Sequence, residues 1–413
     1  MKKLALAAVL APAVALASGY DVPNVNPRDL AMAGSAVAAQ VDAAAAYQNP
    51  AALSRVEGFD VNVALSGLFL NTRWKGPSSG PLAGRSESTR FRPAPPVSLF
   101  AAYGWELAGR KAGVGLGFNV PGGGNVFWED DWEGRGRIIT VDRKIYGAYL
   151  TAGYEVIPNL RLGGGLVYYY GTEYLKQGIQ PFPDAYGELS TRGGALSFDL
   201  AAEYTLPRFP LTIGVDFKYQ GAMNLTGDGK FVVPGGTLPG SDEPNVDQGV
   251  EHELTFPSVL NTGLAYRPAE PWLVTFGFTW IDYSVYEADV FEGDRGARIE
   301  VPRNYGDGYV FRLGAEYTLR ENFRLRAGVL RDISGIDEDY ASPTLPDSSV
   351  WAGSLGASWG LRPNLALNAA LFYARFDELN ATSDEAFPGS YDTNVWIVSA
   401  GVTWRAELDG GAR

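Results

Sequence analysis

The sequence of 413 residues has no cysteine and one histidine, His252. Without cysteine there is no disulfide, no thiolate metal ligand and no thiol nucleophile. A single imidazole leaves little for a metal cluster or a hydrolytic triad, so an enzyme is not expected and no cofactor is called for. His252 itself, at the outer end of a strand-like run, reads as incidental. Positive charge is scarce as well, with 34 Lys and Arg against 47 Asp and Glu, a balance that argues against nucleic acid as a partner. Long apolar helices are also missing. The run from Leu4 to Leu16 is shorter than the ~20 residues a membrane helix needs. With Lys2 and Lys3 before it and Ala15-Leu16-Ala17 at its end, it has the form of a secretory leader spanning residues 1–17. No later stretch supplies a continuous apolar helix. If the chain crosses a membrane, it must therefore do so as a closed β-barrel.

What the chain does have is glycine and aromatics: 51 Gly, 22 Tyr, 20 Phe and 10 Trp. Residues 18–58 are small and Ala-rich, with Asn49-Pro50-Ala51 near their end, and they are too short of large side chains to build a core. They read as a plug for the strand-rich remainder of the chain. From Phe59 the apolar period becomes two: Phe59, Val61, Val63 and Leu65 alternate with Asp60, Asn62, Ala64 and Ser66, which marks a strand with one greasy face. The pattern returns in Leu211 to Tyr219, in Leu254, Phe256, Leu260 and Leu264, in Trp272 to Trp280 and in Trp396 to Trp404. About 14 such runs fill residues 59–413, an even number as bacterial barrels require.

Short connections, such as Glu106 to Arg110, Ile157-Pro158-Asn159, Arg320-Glu321-Asn322 and Arg362-Pro363-Asn364, alternate with long ones rich in Gly, Pro, Ser and Asp. Short periplasmic turns and long outer loops are what an outer-membrane barrel shows. A soluble sandwich would not end its apolar faces in Trp272 and Trp280 or Trp351 and Trp359, positions suited to membrane interfaces. The expected fold is an all-β transmembrane antiparallel barrel with an N-terminal plug in its lumen.

Charged residues test this reading, because a charge facing lipid costs ~2–4 kcal/mol near the midplane. Arg161, Asp199, Glu203, Asp216, Lys218, Arg312, Glu316, Arg324, Arg326 and Asn368 all fall on the polar parity, hence in the lumen. The hairpin about Glu321 sets Glu316 opposite Arg326, within reach of a cross-strand ion pair. Arg placed at Phe276 or Leu367 should impair assembly, and Arg at Thr275 should do less harm. The acidic runs Glu129-Asp130-Asp131 and Asp337-Glu338-Asp339 read as solvated loops. Pro257, mid-strand, removes one rung and marks a weak point in the wall.

Several segments in order carry a resemblance: Ala31-Met32-Ala33-Gly34, Asp42-Ala43-Ala44 and Asn49-Pro50-Ala51; Phe256-Pro257-Ser258 with Asn261-Thr262-Gly263; Trp280-Ile281-Asp282-Tyr283-Ser284; Arg312-Leu313-Gly314 with Tyr317; and Leu325-Arg326-Ala327-Gly328. Nearly the whole chain after the leader resembles the FadL family of outer-membrane transporters for long-chain fatty acids and hydrocarbons. The resemblance implies a 14-stranded barrel closed by an N-terminal hatch. It also implies substrate capture at the outer loops, a lumen pocket, and sideways release through a kink in the third strand. That strand is Lys111 to Val120 followed by Pro121, Gly122, Gly123 and Gly124. Gly113, Gly115 and Gly117 face the lumen without side chains, and together with Asn119 and Pro121 they make a gap in the wall plausible. These glycines equally suit a plug packed close to the wall. The partners expected are a hydrophobic small molecule, membrane lipid and lipopolysaccharide, with the chain a monomer in the outer membrane of a Gram-negative bacterium. A porin for small polar solutes or a surface adhesin is the alternative.

Overall fold

The computed structural model describes residues 26–234, 245–296, 298–344, 346–381 and 387–406. The expected leader at residues 1–17 and the start of the 18–58 segment lie outside the described residues. Strand β1 is Gly58–Lys75, β2 Val97–Leu107, β3 Arg110–Phe127, β4 Thr140–Ile157, β5 Leu160–Gly178 and β6 Tyr186–Thr205. β7 is Leu211–Tyr219 continued by Gly221–Val232, and β8 is Asn245–Phe256 continued by Val259–Tyr266. β9 is Trp272–Ile281, prolonged by Ala288–Gly293, and β10 is Gly308–Arg320, preceded by Arg298–Pro302. β11 is Phe323–Ile333, β12 Val350–Arg362, β13 Leu365–Phe376 with the extension Leu379–Ala381, and β14 Gly389–Ala406. β14 pairs with β1 from Phe59 opposite Ala406 to Lys75 opposite Ser390, which closes a 14-strand antiparallel barrel.

The tight turns follow from local chemistry. Ala108 and Gly109 both have positive φ, 51° and 73°, the two-residue turn whose twist matches a hairpin. Asn159, at φ 70°, uses the tolerance of Asn for the left-handed region in the turn from β4 to β5. At the short-turn end Trp105, Trp272, Trp359 and Trp404 point outward. Trp351 and Trp396 do so nearer the long loops. From Trp272 to Trp280 is eight residues; at ~3.3 Å each and a tilt of ~40° this spans roughly 20 Å of height, close to the ~25 Å apolar band of such barrels.

In this band the expected faces hold. Leu196 is 69% exposed, whereas its near neighbour Asp199 is 0% exposed. Higher up, one expected face is wrong. Leu254 and Phe256 do not share the outer face of Leu260 and Leu264, as an unbroken alternation would require; both are buried in the interior. The strand is interrupted at Pro257 and Ser258, and β7 is interrupted at the same height, where Gly221 takes φ 71°. Inside–outside parity inverts across the paired break. Below it Ile213, Val215 and Tyr219 face out; above it Met223, Leu225 and Phe231 face in. The cause is a change of solvent: lipid outside the lower half favours apolar residues there, and water outside the upper half favours Asn224, Asp228, Glu251 and Glu253. Pro257 thus marks a reversal of faces.

Residues 26–56 run through the interior, and nearly all are buried. Helix α1, Pro27–Leu30, is capped by the Asn26 side chain, which accepts from Arg28 N at 2.9 Å; helix α2 is Ala45–Gln48; a 3-10 turn, Pro50–Arg55, comes next. Phe276→Arg or Leu367→Arg should lower the yield of folded barrel, since either side chain points at lipid and costs ~2–4 kcal/mol. Thr275 is not the mild site expected from parity. Its Oγ1 lies 2.6 Å from Ser35 Oγ and it is fully buried, so Thr275→Arg would collide with the N-terminal segment. Heat-modifiable mobility on gels reads all three.

Candidate functional site

The N-terminal segment divides the interior. Asn49 holds it together: its Nδ2 donates to Val37 O at 3.0 Å, and its Oδ1 accepts from Ala51 N at 3.2 Å. Pro50 and Ala51 then lie flat against the wall. They can do so because Gly104, Gly113, Gly153 and Gly163 stand side by side at one height across β2 to β5. A Cβ on Gly104 would overlap the Val56 carbonyl, on Gly113 the Leu53 carbonyl, on Gly153 the Pro50 carbonyl, and on Gly163 the Ala51 nitrogen. This shelf was only partly visible in the sequence. Its signal is the near-symmetric placement of Gly104 and Gly113, and of Gly153 and Gly163, about their tight turns.

Two ion pairs and a hydrogen bond join the segment to the wall. Arg55 meets Glu203 at 2.6 Å, Asp60 accepts from Ala43 N at 3.0 Å, and Arg28 lies 4.0 Å from Glu316. Glu316 stands opposite Arg326, with Nε to Oε2 2.7 Å, and Arg324 is 3.9 Å away. These three residues, with Arg28, border a polar cavity of about 920 Å³ on the short-turn side of the segment. Arg312 is on the other side. Arg312, Glu316, Arg324 and Arg326 therefore do not form one group.

Above the segment lies a cavity of about 130 Å³, lined by Leu30, Ala33 and Val37 of the segment and by Leu68, Val310, Leu330, Phe372 and Val395 of the wall. Two cations reach it. Lys218 is held by Asp216 at 2.5 Å and Asp199 at 3.2 Å, with its Nζ 5.1 Å from the centre of the Tyr47 ring, so its charge is already matched. Arg312 donates to Thr279 and, among the described residues, forms no ion pair. It lies against Gly34, whose φ of 78° strains any other residue and where an added Cβ would press on Arg312 Nε at 3.2 Å.

The third strand differs from the expectation in a specific way. Gly113, Gly115 and Gly117 are paired on both sides, to β2 and to β4, so the wall is closed there. The space their missing side chains leave is taken by Leu53, by Ala46 and Leu53, and by Phe100 and Tyr149. The discontinuity starts at Asn119, where the β4 ladder jumps to Gly122 and skips Val120 and Pro121. On the other edge β2 begins only at Val97, and its pairing with β3 ends at Leu99 and Phe118. Above that point β3 has no β2 to pair with. Residues 89–96 cross this region instead as a strap tied to β1, with Leu68 N to Ala94 O at 2.8 Å and Ala94 N to Leu68 O at 3.0 Å. A second cavity, about 240 Å³ and mainly apolar, lies here between Leu70, Ala94, Pro96, Val120, Gly122 to Gly124, Phe127 and Tyr146. Leu68 borders both cavities.

His252 is not incidental. It is buried, with Nδ1 2.8 Å from Glu173 Oε2 and Nε2 3.4 Å from Asp289 Oδ1. Arg143 pairs with Glu173, and Arg303 with Asp289 at 2.9 Å. In the acidic loop runs, Asp130 pairs with Lys176 at 3.3 Å and Arg90 at 3.6 Å, and Asp337 caps a short turn by accepting from Asp339 N.

Residues 8–405 match the family described as outer membrane protein transport protein (OMPP1/FadL/TodX). An outer membrane protein of Neisseria meningitidis serogroup B is 20% identical over 94% of this chain and 93% of its own length. Among solved structures, a FadL homologue of Pseudomonas aeruginosa superposes with a TM-score of 0.79 at 18% identity, covering 94% of this chain and 99% of that one. The toluene transporter TodX of Pseudomonas putida does so with a TM-score of 0.70 at 15% identity, covering 95% and 99%. At those identities the structures show a common fold. The match over nearly the whole length shows more: the chain belongs to the FadL/TodX family of outer-membrane transport channels for hydrophobic compounds.

Proposed function

We propose that residues 18–58 act as a hatch, that a hydrophobic substrate from the outer loops rests in the cavity above it, and that the substrate leaves sideways through the wall. The exit runs past Leu68, under the strap of residues 89–96, and out between β1 and the Asn119 to Gly124 stretch of β3. The observation that carries this reading is the position of Leu68 as the common wall of the lumen cavity and the wall cavity. The lumen cavity is of the order that holds one aromatic ring, since an apolar cavity of roughly 150 Å³ takes up benzene. It would equally hold a stretch of alkyl chain. The energetics favour a side exit: each CH₂ moved into water costs ~0.8 kcal/mol, so release into the periplasm is uphill, whereas release into the bilayer is not. A polar porin would have no use for a lumen filled by residues 26–56.

Locking the strap tests the route. Leu68 and Ala94 exchange both backbone hydrogen bonds, which sets their Cα atoms ~5.5 Å apart, within the range a disulfide needs. Leu68→Cys with Ala94→Cys, in a chain that has no other cysteine, should cut uptake of hydrophobic probes several-fold when oxidised and restore it on reduction. Uptake that ignores the redox state, with the crosslink confirmed, would favour a path through the hatch into the polar cavity beyond it.

A further inference from the structure

We infer that the polar cavity on the short-turn side is a site for a free oxyanion of the phosphate or sulfate class, and that the anion seated there holds the N-terminal segment against the wall. The site lies apart from the exit route and takes a ligand other than the transported compound; its holding role rests on the reading of residues 18–58 as a hatch. Its core is three guanidiniums around one carboxylate. Arg326 lies 2.7 Å from Glu316, Arg324 3.9 Å and Arg28 4.0 Å. Arg324 and Arg326 come from β11, Glu316 from β10 and Arg28 from helix α1 of the segment. The core is interior, since the side chains of Arg28, Arg326 and Glu316 are 9%, 2% and 7% exposed. Two positive charges are left over there. Elsewhere around the cavity the acids match or outnumber the cations: the exposed Arg267 and Arg362 have Glu270 and Glu321, and Arg405 is held by Asp60 at 2.8 Å with Asp42 as a second acid beside it.

The donors left open select the ligand. Arg326 gives Nε to Glu316 and Nη1 to Ser358 Oγ at 2.5 Å, and among the described residues its Nη2 has no partner. Arg324 is half exposed, and its 3.9 Å approach to Glu316 is its one ion pair among the described residues. Arg28 donates Nη2 to Ala39 O at 3.0 Å and keeps Nη1 buried without a partner. The neutral groups offer less: Ser358 is bonded to Asn368, and Asn368 Nδ2 to Thr403 Oγ1 at 3.0 Å. A neutral polar solute finds few free partners here, whereas an oxyanion meets guanidinium N–H groups in a geometry that suits its oxygens. Two excess positive charges favour a dianion over chloride. The ladder is continuous at this height, with Glu316 opposite Arg326, Arg326 opposite Gly356, Ser358 opposite Asn368 and Asn368 opposite Gly401. The wall thus offers a lipid headgroup no gap, and the anion comes from the periplasm. Its effect on the segment follows from sign. Arg28 and the two wall arginines repel one another with one carboxylate among them, and an anion in their midst turns that repulsion into attraction.

The test uses the purified full-length channel, with sodium phosphate against sodium chloride at equal ionic strength and neutral pH. Phosphate should bind in calorimetry, raise the thermal midpoint above that in chloride, and lower the frequency of conducting events. Arg324→Gln, at a half-exposed position, should weaken phosphate binding roughly threefold, and Arg326→Gln roughly tenfold or more. Glu316→Gln carries the sharpest expectation. It removes the competing carboxylate, so it should tighten phosphate binding roughly three- to tenfold even though it breaks an ion pair. A merely structural cluster would lose stability with Glu316→Gln in phosphate and chloride alike, with no gain in phosphate affinity. That result overturns the inference, as does equal behaviour of the wild type in the two salts, or phosphate binding that Arg324→Gln and Arg326→Gln leave unchanged. Phosphate binding without any change in conduction removes the holding role and overturns it too. The site and the seal fail separately. If deletion of residues 26–54 leaves conductance at the wild-type level, the seal fails, while calorimetry on the full chain still decides the site.

Discussion

Gly153→Val should turn a closed barrel into a conducting one. A Cβ at this position overlaps the Pro50 carbonyl, with the Ala51 carbonyl oxygen at 2.9 Å. Backbone cannot swing aside as a long side chain does, so the 3-10 turn must lift from the shelf. Overpacking of this kind costs ~1–3 kcal/mol or more, charged to the segment rather than to the strands. The barrel has reason to survive, because each wall acid that the segment contacts also has a wall partner: Glu203 keeps Arg161 at 3.3 Å, Asp60 keeps Arg405 at 2.8 Å and Glu316 keeps Arg326 at 2.7 Å. Charge balance in the lumen does not depend on residues 26–56. Deleting residues 26–54 should therefore give the same phenotype more strongly. Heat-modifiability would persist, while single-channel conductance and sensitivity to large antibiotics rise several-fold. Wild-type conductance from both variants would mean that the outer loops, not residues 26–56, make the seal.

This result also bears on the third strand. Bulk at Gly115 or Gly117 would strike Ala46 and Leu53, or Phe100 and Tyr149, so it perturbs the N-terminal segment and the wall beside it before it reaches any exit. Closure at the strap is the cleaner test of the route. In the sequence the two roles of these glycines could not be told apart, because parity shows that a lumen position is empty and not what fills it. What was legible was everything governed by the period of two within the lipid band: Leu65, Leu116 and Leu150 outward, Asp199, Glu203 and Glu316 inward, and the short turns at Asn159 and Asn364. The reading failed above the band. There water replaces lipid, Leu254 and Phe256 turn inward, and the pattern continues through Pro257 without signalling that its meaning has reversed. The strap was invisible for another reason. Its role depends on β2 starting late, at Val97, and that is a matter of register against two other strands.

The buried polar network was not legible either, since Arg143, Glu173, His252, Asp289 and Arg303 come from separate segments and each looks like a loop-end charge when taken alone. Asp289→Ala should be among the most destabilising single changes in the upper barrel. Asp289 accepts from Arg303 Nε at 2.9 Å and from the Tyr286 hydroxyl at 2.7 and 2.8 Å, and it lies 3.4 Å from His252 and 3.9 Å from Arg143, all with buried side chains. Its removal leaves two buried arginines with one glutamate, and breaking a buried pair from one side costs ~3–5 kcal/mol. His252→Gln, which keeps a donor toward Glu173, should cost less. The loss will be local, because the lipid-facing ladders below Gly221 and Pro257 do not pass through these residues. Hydrogen exchange should accelerate in 245–256 and 288–303 and stay slow in β11 to β13. Arg143 also lines the wall cavity, so its release should alter hydrophobic uptake as well as local protection. Unchanged exchange in both segments would mean that the apolar packing of Leu254, Phe256 and Phe291, and not the charges, holds the upper barrel together.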